Sequence, residues 1–219
     1  MTKQDIAKKQ YREILLPPEV SGELAAIYHD MQQGYEDIAD QIPLTCQGCP
    51  DNCCDSYFQH HTYSEWAYLW EGLNMLEESE QQAITARARA YVSKSTDMLA
   101  QGQRPQIMCP LLGEGGLCML YEHRMLVCRM HGVPATLTRP DGQSMRFPGC
   151  FRCQEIVEKN FDQQNNAPAM DRTRLFRRLA ALETQLMGEK RHLYPRVKKT
   201  IADMIIEGPP ALPVPHCQR

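Results

Sequence analysis

Sulfur is the chemically conspicuous element of this chain. Ten cysteines occur in 219 residues, and nine of them lie between Cys46 and Cys153. They fall into three groups. The first is Cys46-Gln-Gly-Cys49-Pro-Asp-Asn-Cys53-Cys54. The second is Cys109-Pro-Leu-Leu, then Cys118-Met-Leu-Tyr, then Cys128-Arg129. The third is Cys150-Phe-Arg-Cys153. A C-x2-C turn reverses the chain over two residues, so that two thiolates can converge on one ion. Gly48 and Pro50 suit the first such turn, and Gly149 relieves crowding at the second. The adjacent pair Cys53-Cys54 is stiffer, because consecutive side chains tend to diverge.

The two C-x2-C pairs supply four thiolates, the complement of a structural Zn(Cys)4 site or of a 4Fe–4S cluster. Cys53, Cys54, Cys109, Cys118 and Cys128 remain. Either two centres are present, or one centre draws ligands from several segments and leaves spare thiols. Spacing alone does not divide the ligands. Thiolates are soft and suit zinc or iron–sulfur clusters rather than calcium or magnesium. The groups contain no histidine at a ligand spacing, which tilts the reading toward an iron–sulfur cluster, with zinc as the alternative. Arg124, Arg129 and Arg152 sit beside the cysteines and can offset the negative charge of a thiolate centre, or simply make surface ion pairs. His60-His61 can ligate near Cys54 or solvate a helix entry. His123 and His131 flank Cys128, and a Cys128–His131 nucleophilic pair lacks any accompanying third group. Cys217 reads as an inert or free tail thiol.

The compartment decides between metal and disulfides. The first residues, Met1-Thr-Lys-Gln-Asp-Ile-Ala-Lys-Lys, carry charges with no apolar run behind them, so secretion is not expected. No apolar run approaches the roughly 18 residues of a membrane span. The expected location is cytoplasmic, among reducing thiols, where clustered cysteines mean metal or catalysis. Hydrophobic residues make up 42% and charged residues 23%, enough to bury a core without cross-links. The net charge of -3 and the 7% of aromatics give no basis for nucleic-acid binding. An unidentified protein partner remains open.

The expected fold is mainly α, with helical flanks around an irregular cysteine-rich metal-binding centre that includes a small β-hairpin. The division is 1–41 for N-terminal helices, 42–160 for the cysteine core with inserted helices, 161–208 for C-terminal helices and 209–219 for a Pro-rich tail, all within one domain. Leu24, Ile27, Tyr28, Met31, Tyr35 and Ile38 fall at helical spacing after Pro17-Pro18-Glu19, and a shorter helix is expected around Ile6 to Leu15. Thr62-Tyr-Ser-Glu65 reads as a capping box opening a helix with Trp66, Leu69, Trp70 and Leu73. Trp66 and Trp70 read as core. A longer helix is expected from about Glu78 to Leu99. The stretch 135–147 reads as a hairpin turning at Pro140-Asp141-Gly142. Leu175, Leu179, Leu182 and Leu186 mark one late helix, and Val197, Ile201, Met204 and Ile205 another, ended by Gly208-Pro209. The tail is expected to be extended or disordered. Residues 101–153 carry too many Pro and Gly to order themselves by periodicity, and the cysteines are the organiser they need.

These residues resemble the YkgJ-type cysteine-cluster family of zinc- or iron-chelating, iron–sulfur-annotated proteins. The resemblance rests on Cys46, Cys49 and Cys53-Cys54, then Cys109-Pro-Leu-Leu, Cys118-Met-Leu-Tyr121, Arg124-Met125 and Cys128-Arg129. Two positions depart from the family pattern. Three residues rather than two precede Cys53-Cys54, and Met125 stands where the family has proline. The resemblance covers roughly residues 46–153. It implies a metal-cluster protein with Cys46, Cys49, Cys53, Cys54, Cys109, Cys118, Cys128, Cys150 and Cys153 as candidate ligands and a possible electron-transfer or redox role. The flagellin lysine methylase group shares the cysteine region only, so a cluster-dependent protein-modifying enzyme stands beside a structural zinc module as an alternative. No residue of this chain specifies a catalytic role.

Overall fold

In the computed structural model, which describes residues 11–46, 53–163 and 166–213, seven α-helices are joined by irregular segments and two small sheets. Helix α1 (Pro18–Gln41) starts with proline in its first turn, where the missing N–H is no loss. Its buried stripe of Val20, Leu24, Ile27, Tyr28 and Met31 packs with Leu126 and Met130 of the short α4 (Leu126–Met130). Leu175, Leu179 and Leu182 of α6 (Thr173–Met187) complete this core. A second core gathers Trp66, Leu69 and Leu73 of α2 (Tyr63–Leu73) and Ile84, Ala88 and Tyr91 of α3 (Glu78–Ala100). Met204 and Ile205 of α7 (Ile201–Glu207) close it. The indole N–H groups of Trp66 and Trp70 both donate to the Met204 carbonyl, at 3.2 and 3.0 Å. A third core joins the end of α1, through Ala39 and Ile42, to Val133 and to Cys153 and Val157 of α5 (Phe151–Asn160). Among the described residues, no helix is long and apolar enough to cross a membrane.

The mainly helical expectation holds, and so does the hairpin. Strands β2 (Ala135–Thr138) and β3 (Ser144–Phe147) pair antiparallel from Ala135↔Phe147 to Thr138↔Ser144. Gly142 takes the turn at φ +83°, a left-handed conformation that suits glycine. Three strands differ from the sequence reading. Within the expected helix at 6–15, residues Tyr11–Glu13 form a strand, β1, while residues 1–10 lie outside the described set. Its partner is β5 (Ala211–Pro213), in what reads as tail, so the tail is extended and paired as far as residue 213. A third strand, β4 (Met170–Asp171), adds in parallel to β2. Each depends on a partner distant in sequence, which local periodicity does not reveal.

A buried carboxylate fastens three helices. Glu65 is 4% exposed. Its Oε1 accepts from Tyr28 Oη of α1 at 3.1 Å and from the Leu126 amide of α4 at 2.8 Å, and its Oε2 accepts from Thr62 Oγ1 at 2.8 Å. The capping box is therefore only half made. Thr62 Oγ1 does accept the Glu65 amide at 3.2 Å, but the carboxylate turns into the core. Glu183 of α6 takes over at the helix start, accepting the amides of Tyr63 at 3.0 Å and Ser64 at 2.9 Å. A carboxylate at a helix N-terminus is favoured by the dipole and satisfies otherwise orphaned donors.

His60 has the opposite character. It is 1% exposed, and neither ring nitrogen has a hydrogen-bond partner among the described residues. Burial pushes its pKa from 6.5 down to about 3, with His61 adding to the effect. The unfolded chain takes up this proton near pH 6.5, while the folded chain resists until about pH 3. Stability present above pH 6.5 is therefore lost as the pH falls toward 3. The expected contribution has a limiting slope of about 1.4 kcal/mol per pH unit. Urea unfolding from pH 7 to pH 4 should show wild type losing stability against the His60→Phe variant. Parallel curves for the two proteins would refute the assignment.

Candidate metal centre

Backbone pairing brings the separated cysteine groups together. The Cys109 amide donates to the Cys54 carbonyl at 2.9 Å, and the Ile107 amide to the Asp55 carbonyl at 3.2 Å. Ser56 and Gln106 form an antiparallel bridge beside them. The chain then turns on itself. Leu112 bridges Cys118, the Gly113 amide donates to the Leu117 carbonyl at 2.8 Å, and the Met119 amide to the Leu111 carbonyl at 2.8 Å. Gly116, at φ +74°, makes that reversal. Cys54, Cys109 and Cys118 thus lie on successively paired segments, and Cys109 and Cys118 pack against the second core.

Arg129 shapes the next stretch. It is 7% exposed, and its guanidinium donates to the carbonyls of Arg124 at 2.7 Å, Glu122 at 2.7 Å and Tyr121 at 3.2 Å. The planar fork of arginine can serve several carbonyls at once, which a lysine ammonium matches poorly. The same guanidinium stacks over the Tyr28 ring at 4.6 Å, so the loop between Cys118 and Cys128 is pinned onto α1. Arg124 lies over the Tyr121 ring at 4.0 Å, and its buried Nε has no partner among the described residues. Burial pushes the Cys118 thiol pKa up, while the charges of Arg124 and Arg129 pull it down.

The third group meets the start of the first around Tyr35. Tyr35 Oη lies 3.6 Å from Cys46 Sγ. A Cβ added at Gly132 would sit 2.0 Å from the same Oη, so the phenol takes the space a side chain there would need. The Gly132 carbonyl in turn accepts the Cys150 amide at 2.9 Å. Cys150 caps α5, its Sγ accepting from the Cys153 amide at 3.4 Å, while Cys153 is fully buried. Burial, with the neighbouring Cys150, pushes the Cys153 thiol up to about 12. The helix after Cys150 is absent from the sequence reading, which takes the C-x2-C as a turn. The signal was there in Cys150, Cys153 and Val157 at spacings of three and four.

Of the nine candidate ligands, seven have described side chains, and all seven are thiols rather than disulfides. Cys49 lies outside the described residues, as does Cys217. Cys53 begins a short 3-10 helix (Cys53–Asp55), and nothing further is described of it. Cys128 is carried on α4. Among the described residues, no three His, Cys, Asp or Glu side chains gather closely enough to hold an ion as they stand. The nearby histidines have other settings. His60 is enclosed in the core, and its backbone pairs with Lys199. The His61 ring contacts the Val197 carbonyl at 3.1 Å, His123 packs at 4.4 Å on Tyr68, and His131 meets Phe58 edge-on at 4.9 Å.

Gly149 offers a test of this packing. It has φ +86°, and a Cβ there would lie 2.6 Å from the Gly132 carbonyl and 2.9 Å from Cys153 Sγ. Gly142 has a similar φ of +83° but open space around it. Replacing either by alanine adds about 1 kcal/mol or more of backbone strain. Gly149→Ala should be destabilised beyond Gly142→Ala by a further 1–3 kcal/mol or so, because the clash with backbone and sulfur adds to strain. Equal losses in chemical denaturation would show that the Cys153 contact is not tight.

No family model matches the chain, and no curated protein or solved structure is significantly similar to it.

Proposed function

We propose that this chain is a metal-binding protein whose ligands are cysteine thiolates, with an iron–sulfur cluster as the preferred group and zinc as the alternative. The observation that carries the reading is the pairing of separated cysteine segments: Cys54 with Cys109, and Cys46 with Cys150 through Tyr35 and Gly132. Cysteine-bearing segments distant in sequence are thus held in contact at two places by backbone pairing and by Tyr35.

Electrostatics supports the same reading. Four thiolates around either metal leave net negative charge. Arg124 and Arg129 both act on Cys118, and the orphaned Nε–H of Arg124 is the kind of donor that an anionic centre would satisfy. His61 contacts the Val197 carbonyl, His123 packs on Tyr68 and His60 is enclosed in the core, so the accessible donors of the cysteine region are mainly soft thiols. When bound, an iron–sulfur cluster would supply one-electron transfer. The chain's own residues would hold it, offset its charge through Arg124 and Arg129, and limit water access through the apolar walls behind Cys109 and Cys153. An electron-transfer or redox role in a reducing cytoplasm belongs to this proposal.

The test is elemental analysis and visible spectroscopy of protein purified without oxygen. Iron with acid-labile sulfide, and broad visible absorption bleached by dithionite, are the expected results. The iron content per chain then separates one centre from two. Stoichiometric zinc would replace the cluster with a structural ion, and a metal-free chain of full secondary structure would overturn the proposal. Cys109→Ser and Cys153→Ser should lower the metal content, whereas Cys217→Ser should leave it unchanged.

A further inference from the structure

The third cysteine group has a geometry that metal binding does not require. Cys150 is the N-cap of the ten-residue helix α5, with extended backbone at φ -73° and ψ 169°, and Cys153 sits in its first turn. The two are therefore stacked on one side of the helix start, and the Cys153 amide points at Cys150 Sγ at 3.4 Å. Residues three apart at a helix start are spatial neighbours, close to the span that a disulfide bridges. Their surroundings differ sharply. Cys150 is partly accessible, beside Phe151, which is 65% exposed, whereas Cys153 is fully buried against Gly149. Cys150 is thus the more accessible residue of the pair and Cys153 the enclosed one.

We infer that Cys150 and Cys153 form a dithiol–disulfide pair that exchanges with low-molecular-weight disulfides when no metal is bound, Cys150 attacking and Cys153 resolving. With glutathione disulfide as oxidant, Cys150 sulfur attacks one glutathione sulfur. The glutathione S–S bond breaks, a mixed disulfide forms at Cys150, and the first glutathione leaves as thiolate and takes up the proton that Cys150 released. Cys153 sulfur then attacks Cys150 sulfur, the intramolecular bond forms, and the second glutathione leaves with the proton from Cys153. The protein loses two protons and two electrons, and one glutathione disulfide becomes two glutathione thiols. The inference stands on the geometry of α5 and does not require the metal reading. Where both hold, disulfide formation removes two ligands and makes metal loading redox-dependent.

Sequence provides a direct readout. Arg146, Arg152 and Lys159 place a trypsin cut between the two cysteines, so that Cys150 and Cys153 fall on different peptides, 147–152 and 153–159. Protein purified without oxygen, assayed for metal and then stripped with a chelator, is treated with glutathione disulfide, alkylated and digested. The expected result is that the two peptides remain joined until reduced. In Cys153→Ser, glutathione should accumulate on Cys150; in Cys150→Ser, Cys153 should stay unmodified while the protein is folded. Separate, fully alkylated peptides from the wild type, or glutathione found first on Cys153, would overturn the inference. The two proposals fail separately. A chain that carries no metal as purified yet joins the peptides loses only the metal reading. A metal-bearing chain whose stripped form leaves them apart loses only this one.

Discussion

The carboxylate of Glu65 is the point on which the arrangement turns. It lies where α1, α2 and α4 meet, and it is the acceptor for a tyrosine hydroxyl from one and a backbone amide from another. Buried donors left without acceptors cost about 1–3 kcal/mol each, so a wrong packing of these helices would be penalised at several atoms together. Tyr28, held by Glu65, is the platform on which Arg129 stacks. Arg129 in turn gathers three carbonyls of the loop that follows Cys118. A chain of polar contacts thus runs from the helical scaffold into the cysteine region. It fixes the loop between Cys118 and Cys128, which carries the 3-10 turn Tyr121–His123, onto that scaffold.

The sulfur-bearing segments are divided between two apolar supports. Cys109 and Cys118 lean on the core of α2, α3 and α7, while Cys150 and Cys153 lean on the core at the end of α1. The first cysteine group spans this division, with Cys46 beside Tyr35 on one side and Cys54 paired to Cys109 on the other. Burial raises the pKa of Cys118 and Cys153, disfavouring thiolates in the absence of a compensating charge. Arg124 and Arg129 supply part of that compensation at Cys118, and a bound cation would supply it anywhere. Metal binding and proton release are therefore linked in such a site.

Under the two proposals the Cys150–Cys153 pair would have two chemistries. Converging thiols separated by two residues at a helix start suit a metal ion, and they also suit a disulfide. A bound metal would keep the sulfurs reduced by occupying their lone pairs, whereas an empty pair would be open to exchange. Which chemistry prevails depends on metal supply and the thiol–disulfide balance around the protein, both properties of its surroundings.

The helices were legible in the sequence because apolar residues at i, i+3 and i+4 encode a face whatever that face meets. The boundaries of α1 and α3, the Thr62 start of α2, and the hairpin at Pro140-Asp141-Gly142 all follow from local chemistry of this kind. The cysteine spacing likewise stated a donor type before any geometry was known. What local pattern could not state was partnership. The pairing of Tyr11–Glu13 with Ala211–Pro213, the inward turn of Glu65, the capping of α2 by Glu183, and the grouping of Cys54 with Cys109 each join residues far apart in the chain. Such contacts are selected by the collective burial of apolar faces and the need to satisfy every buried polar atom, and these are properties of the folded chain as a whole. The sequence by itself determined which side chains were available and which faces were apolar. Only the tertiary structure decided which cysteine-bearing segments pair, because that choice is made by packing at a distance.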